Sequence, residues 1–226
     1  MASVKAILFD VYGTLVYAEN PVGETEVSKY LFSRGYELSS QQFKAAWSFV
    51  AFVDYPKYGY RSWSAFLSRV LARLKIKVDR ESLDHLVNLY RSRSYKLYPD
   101  AIEAVRMAKE RGFRTATVTT IAYFKFKDAI QPIRKYFDLI MTGYEAGCDK
   151  SNPKMYKKIL DIFDVEPYEA VVIGDEVELD VLLPKSLGIN AVFLDREHKG
   201  KGELVDAFVY DLKEAMETVI RKFDRS

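Results

Sequence analysis

Asp10 ends the apolar run Ile7-Leu8-Phe9 and is followed, after Val11 and Tyr12, by the turn signal Gly13-Thr14. An apolar strand that delivers a carboxylate to its C-terminal end and then turns puts that group where open α/β sheets bind ligands. Asp10 is therefore a candidate nucleophile, with Thr14 beside it. Two residues on, where a second carboxylate would complete an acid/base or metal-binding pair, stands Tyr12. Strand ends are expected to supply polar groups at three further points: Thr119 with Thr120, Lys150 after the loop 143–149, and Asp175 with Asp180 after residues 170–174. Taken singly, each has an ordinary explanation as a helix cap, a solvated lysine or a turn. In a parallel sheet, however, C-terminal strand ends share one edge, so these groups are expected to converge.

The elements that would carry them are short runs rich in Val and Ile at 4–9, 115–119, 139–142, 170–173 and 191–194, with helical patterns between most of them. This alternation predicts an α/β fold, a Rossmann-like doubly wound parallel sheet. It is interrupted once. From residue 16 to about residue 96 the patterns are amphipathic and helical, near 24–33, 40–53, 62–74 and 80–92, with Ser40 and Asp79 as N-caps and Tyr55-Pro56-Lys57-Tyr58-Gly59 as a loop. The expected organisation is a core of residues 1–15 and 97–226 with a helical domain, 16–96, inserted after the first strand. After Pro99-Asp100 a helix is expected to about Arg111, stopped by Gly112.

The insertion is crowded with rings: Trp47, Phe49, Phe52, Tyr55, Tyr58, Tyr60, Trp63 and Phe66. They read as a small helical core, with the loop tyrosines Tyr55, Tyr58 and Tyr60 as candidates to face a substrate. His85 and His198 lack metal-ligand spacing, Met107 and Met155 read as core fillers, and residues 221–226 as a solvated helix end. Cys148 is the one cysteine, which excludes an intramolecular disulfide and a cysteine-based zinc site.

Of 226 residues, 49% are apolar and 29% charged, enough to bury a core and stay soluble, and the net charge is +2. No basic stretch is dense enough for a nucleic-acid footprint, and no apolar run suits a membrane span or a secretory leader. The expectation is a cytoplasmic protein, monomer or homodimer, acting on a small molecule.

The four polar segments, in this order, resemble the haloacid dehalogenase superfamily of hydrolases over nearly the whole chain. The first motif of that family, Asp-x-Asp/Tyr-Gly-Thr, is similar to residues 10–14, and its second, a Ser or Thr ending a strand, resembles Thr119. The third, a Lys followed by Pro-x-Pro and an aromatic, resembles Lys150-Ser151-Asn152-Pro153-Lys154-Met155-Tyr156, with Ser151 in place of the first Pro. The fourth, Gly-Asp followed by another Asp, resembles Gly174-Asp175 with Asp180 beyond it. The resemblance implies a helical cap after the first motif, as the interrupted alternation already suggests. It also implies that Asp10 attacks the substrate to form a covalent aspartyl intermediate, with Thr14, Thr119 and Lys150 as catalytic partners. In that reading Thr119 and Lys150 hold the charged group under attack, and Lys150 keeps Asp10 ionised. Mg²⁺ would be held by Asp10, Asp175 and the backbone carbonyl of Tyr12, supported by Asp180, while Tyr12, Thr120 and Tyr156 would stand on the substrate side.

Two chemistries compete within that family. Phosphatases use a second Asp in the first motif to protonate the leaving alcohol. Tyr12, with an ordinary pKa of about 10, replaces it poorly, at a cost of roughly 10²–10⁴ in rate. A halide needs no proton to leave, and 2-haloacid dehalogenases resemble this chain in having Tyr there. Against that stand three departures: the acidic Asp175, which without a cation would repel a haloacid carboxylate, Thr120 where those enzymes place Asn, and residues 40–47, which contain no Arg to receive halide. Arg61 and Arg69 are the candidate replacements. The expected function is thus a Mg²⁺-dependent phosphatase of a small phosphorylated metabolite, with a metal-independent 2-haloacid dehalogenase, or a catalytically weak binding relative, as alternatives.

Overall fold

A computed structural model describes residues 3–198 and 207–223; residues 1–2, 199–206 and 224–226, including the tail of the expected C-terminal helix end, lie outside the described residues. The strands are β1 (Ala6–Phe9), β2 (Val16–Tyr17), β3 (Lys96–Leu97), β4 (Arg114–Val118), β5 (Leu139–Met141), β6 (Ala170–Gly174), β7 (Asn190–Leu194) and β8 (Phe208–Val209). Six of them form one parallel sheet in the order β5-β4-β1-β6-β7-β8. The order reverses at β1, the switch point where such sheets bind ligands. Phe9 is level with Thr117 of β4 and Ile173 of β6, so Asp10, Thr119 and Asp175 all emerge at one edge.

β1 is buried on both faces, which is why its run is apolar without alternation. Ile7 and Phe9 pack on one side with Ala104 and Val105 of α6 (Ala101–Glu110) and Met216 and Val219 of α11 (Leu212–Lys222). Ala6 and Leu8 pack on the other with Met155, Ile159 and Leu160 of α9 (Lys154–Phe163). Short helices α7 (Tyr123–Phe126), α8 (Gly143–Ala146) and α10 (Leu183–Ser186) follow β4, β5 and β6. The α6 helix ends as expected at Gly112, whose φ of +82° suits a residue without a side chain.

Between β2 and β3 lie α1 (Glu24–Ser33), α2 (Ser40–Phe49), a π-helical turn at Val50–Asp54, α3 (Tyr55–Tyr58), α4 (Trp63–Arg73) and α5 (Arg80–Ser92). They share a core of their own, including Val27, Phe43, Phe66, Leu67 and Leu86. The sequence reading differs from the structure here in three places. β2 and β3 pair antiparallel, Val16 with Leu97 and Tyr17 with Lys96, forming a ribbon where the chain leaves and returns; two residues are too few to carry a periodicity. The N-cap of α2 is Ser39 rather than Ser40: Gln42 N donates to Ser39 Oγ (3.1 Å) and Ser39 N donates to Gln42 Oε1 (3.0 Å), a reciprocal capping box. The expected loop at 55–59 is instead helical through Tyr58. Pro56 falls in a first turn, where its missing N–H is not needed, and Gly59 ends the helix at φ +62°. Asp79 does cap α5, accepting from Ser82 N at 2.7 Å.

Candidate active site

Asp10 is fixed by its own backbone, whose N donates to Ile173 O at 2.9 Å. Lys150 Nζ donates to Asp10 Oδ1 and lies 2.5 Å from Asp180 Oδ1, and all three residues are buried. Lys150 is held from behind, its N donating to Thr120 Oγ1 at 3.0 Å. The turn that presents it is built by side chains: Ser151 N donates to Asp149 Oδ1 (2.8 Å), and Lys154 N donates to Asn152 Oδ1 (3.0 Å) as α9 begins. The Ser151 hydroxyl also reaches Asp149 (2.5 Å), so a hydrogen bond does what proline rigidity does in the family motif. Asp180 lies in a π-helical turn, Val177–Leu182, and accepts from Glu176 N at 3.2 Å.

Two glycines make room for the carboxylates. A Cβ at Gly13, where φ is +85°, would stand 2.1 Å from Asp175 Oδ2, and one at Gly174 would stand 2.2 Å from Asp180 Cγ. One oxygen each from Asp10, Asp175 and Asp180 therefore lies within 4.8 Å of the others.

Three carboxylates face one ammonium. Burial works against the Lys150 charge, but Asp10 and Asp180 outweigh it and hold the lysine well above its ordinary pKa. Burial raises Asp180 to about 7 despite Lys150. Asp175, open to solvent along one side, is pushed up to about 7 by enclosure and then by the charge of Asp10. One buried oxygen, Asp10 Oδ2, has no hydrogen-bond partner. An all-oxygen donor set, surplus negative charge and an orphaned carboxylate oxygen fit a hard divalent cation such as Mg²⁺.

The other expected residues fall into two groups. Thr119 is buried at the same edge, its Oγ1 accepting from Ile121 N at 3.2 Å, and Tyr12 is 43% exposed with its ring 5.4 Å from that of Tyr95. Thr120 acts by positioning Lys150. Tyr156, expected on the substrate side, is instead fully buried and donates its hydroxyl to Leu179 O at 2.6 Å, so it supports the floor of the site. The Thr14 side chain is likewise buried, with Oγ1 unpartnered, while its carbonyl accepts from Arg196 Nη2 at 2.9 Å. Tyr55 is buried, with its hydroxyl 2.7 Å from Thr142 Oγ1 across to α8, and it borders a cavity shared with Phe66 and Thr120. Arg69 is engaged by the buried Asp54 at 2.6 Å, and His85 and His198 stack on Tyr30 and Tyr210. Sequence reasoning missed Arg196, which clamps Asp100 (3.0 Å) and the Thr14 carbonyl, and Lys125, which stands among the rings of the insertion. Neither has a local signal; only the fold brings their partners to them.

The sequence profile of a family described as haloacid dehalogenase-like hydrolase matches residues 4–188. This chain is a haloacid dehalogenase-like hydrolase. It is thus an enzyme of a family that acts on small molecules, and no described helix is long and apolar enough to cross a membrane. Among curated relatives of this hydrolase, a phosphoserine phosphatase of Thermus thermophilus is 30% identical over 106 residues, 46% of this chain and 43% of that protein. Pyrophosphatase PpaX of Bacillus mycoides is 21% identical over 89% of this chain and 88% of its own. The chain thus spans less than half of the first relative and most of the second. Two solved structures share the fold. A HAD phosphatase from Thermococcus onnurineus has a TM-score of 0.67 and 24% identity, covering 99% of this chain and 100% of its own. A 2-haloacid dehalogenase from Pseudomonas syringae has a TM-score of 0.68 and 18% identity, covering 96% and 99%.

Proposed function

We propose that this hydrolase is a Mg²⁺-dependent phosphatase of a small phosphorylated metabolite, with residues 16–96 as a cap over the site. The observation that carries this reading is the cluster of Asp10, Asp175 and Asp180 around a single Lys150. Asp10 attacks phosphorus, the bond to the leaving oxygen breaks, and water then releases phosphate from the aspartyl intermediate. Lys150 pairs with the Asp10 carboxylate, and with Thr119 it steadies the charged oxygens. Asp10, Asp175 and the Tyr12 carbonyl, backed by Asp180, would hold Mg²⁺, which neutralises phosphoryl charge when bound. The relatives named as phosphatases support the phosphoryl reading.

Tyr12 narrows the substrate. No carboxylate stands at that position to protonate an alkoxide, so leaving groups that depart unprotonated, from acyl or aryl phosphates, suit the site best. The test is hydrolysis of 4-nitrophenyl phosphate with Mg²⁺: turnover that EDTA abolishes is expected, and halide release from 2-chloropropionate without metal would overturn the reading. The same Tyr12 favours the second reading, a 2-haloacid dehalogenase whose Asp10 displaces halide from carbon.

A further inference from the structure

Lys125, on α7 just beyond the Thr119-Thr120 edge, projects its ammonium against the aromatic side of the insertion. Its Nζ lies 3.8 Å from the ring centre of Phe66, 4.3 Å from that of Trp47 and 5.1 Å from that of Trp63. Among the described residues its ammonium has no hydrogen bond and no ion pair. Ring faces attract a cation, but they leave the three N–H donors of an ammonium unmet. Burial alone pushes the amine down to about 7, with no carboxylate to hold it up.

Two cavities adjoin this lysine. One, of about 170 Å³, lies among Trp47, Trp63, Tyr90 and Tyr95. The other, of about 130 Å³, reaches from Trp47 and Phe66 to Thr120, beside catalytic Thr119, and Tyr95 borders both. Tyr95 in turn abuts Tyr12, two residues from Asp10, so the cavities lie beside the edge that bears Asp10. The other cation at these walls, Arg93, is already paired with Glu26 through two hydrogen bonds of 2.6 and 2.7 Å.

We propose that Lys125 and the surrounding rings form a second recognition point for the substrate, receiving a carboxylate carried on a planar or apolar body. A singly charged carboxylate fits better than a second phosphate, because one free ammonium balances one charge and Glu24 already borders the larger cavity. The rings supply the apolar walls and the ammonium supplies direction, the division of labour usual in small-molecule sites. That the ligand is the substrate rests on the Asp10 reading; that a carboxylate binds here does not.

Both tryptophans of the chain lie at this point, so intrinsic fluorescence reports on it directly. The experiment titrates the full chain with phenylacetate and, separately, with its neutral isostere phenylacetamide. Phenylacetate should perturb the emission and bind at least tenfold tighter than the amide, and Lys125→Met should erase that preference. Equal binding of the two probes, or a preference that survives in Lys125→Met, overturns the proposal. Lys125→Gln provides the same comparison if the methionine variant does not fold. Because neither probe is hydrolysed, carboxylate binding without phosphatase activity would fell only the Asp10 reading, and phosphatase activity without carboxylate preference only this one.

Discussion

Lys150 is enclosed by the carboxylates of Asp10 and Asp180, whereas Lys125 is enclosed by the faces of Trp47, Trp63 and Phe66. The first ammonium is held charged far above its ordinary range, and the second is lowered to about 7. Both are lysines on loops or short elements next to the same sheet edge, so the difference comes wholly from what the fold carries to them. It separates two uses of an enclosed cation: one fixes negative charge already present in the protein, and the other leaves a charge unspent for something arriving from outside.

The sharpest way to break that contrast is to remove each charge in turn. Lys150→Met leaves Asp10 and Asp180 buried without their cation. It should lower kcat on 4-nitrophenyl phosphate by about 10³-fold or more, and stability by roughly 3–5 kcal/mol in urea unfolding. Adding a carboxylate on the Lys150 side has the opposite sense for catalysis. Tyr12→Asp should raise the rate on alkyl phosphates by about 10²-fold by restoring a proton donor, and no gain there would count against the missing-acid account.

Lys125→Met should stabilise the protein, on the order of 1–2 kcal/mol at pH 6, because it removes a charge the rings only partly compensate. The folded pKa lies below the unfolded value of 10.5, so the unfolded chain binds the extra proton between about pH 7 and 10.5. The penalty is full below pH 7 and fades as pH climbs through that interval, so the urea midpoints of wild type and variant should approach each other toward pH 10.

The smallest effect is expected from the cation that Lys150 cannot replace. Asp175 is raised from 3.8 to about 7, so the metal-free fold binds extra protons between those values and loses stability as pH rises across them. Mg²⁺ relieves crowding among ionised carboxylates only. It should therefore raise Tm by a few degrees at pH 8 and by less at pH 5.5, measured by calorimetry with EDTA as the reference. An equal shift at both values would indicate that the ion binds elsewhere.

The parts of this contrast differ in how far the sequence revealed them. The Lys150 side was legible, because Asp10, Thr119 and Asp175 each follow an apolar strand and parallel register aligns strand ends by itself. The helices Glu24–Ser33 and Arg80–Ser92 were legible to the residue, since period and flanking residues agree there. The Lys125 side was not: Trp47 and Trp63 come from α2 and α4, Phe66 from one turn further on, and nothing near residue 125 announces them. Tyr156 was misread for a related reason. Its spacing from Lys150 is that of the family motif, but which way the first turn of α9 faces is decided by packing against β1 and β6. Tyr55-Pro56 looked like a loop because a proline-bearing turn continuing a π-helical segment has the composition of one.

Gly13 and Asp175 have a bearing on how this chain can change over generations. The volume a methyl group would need at position 13 is filled by a carboxylate from the far side of the sequence. A mutational path that gives residue 13 a side chain must first shorten residue 175, and it still meets a left-handed backbone that disfavours most replacements. The two positions are thus locked into an order of substitution, and drift at the first is closed for as long as the acid at the second is retained.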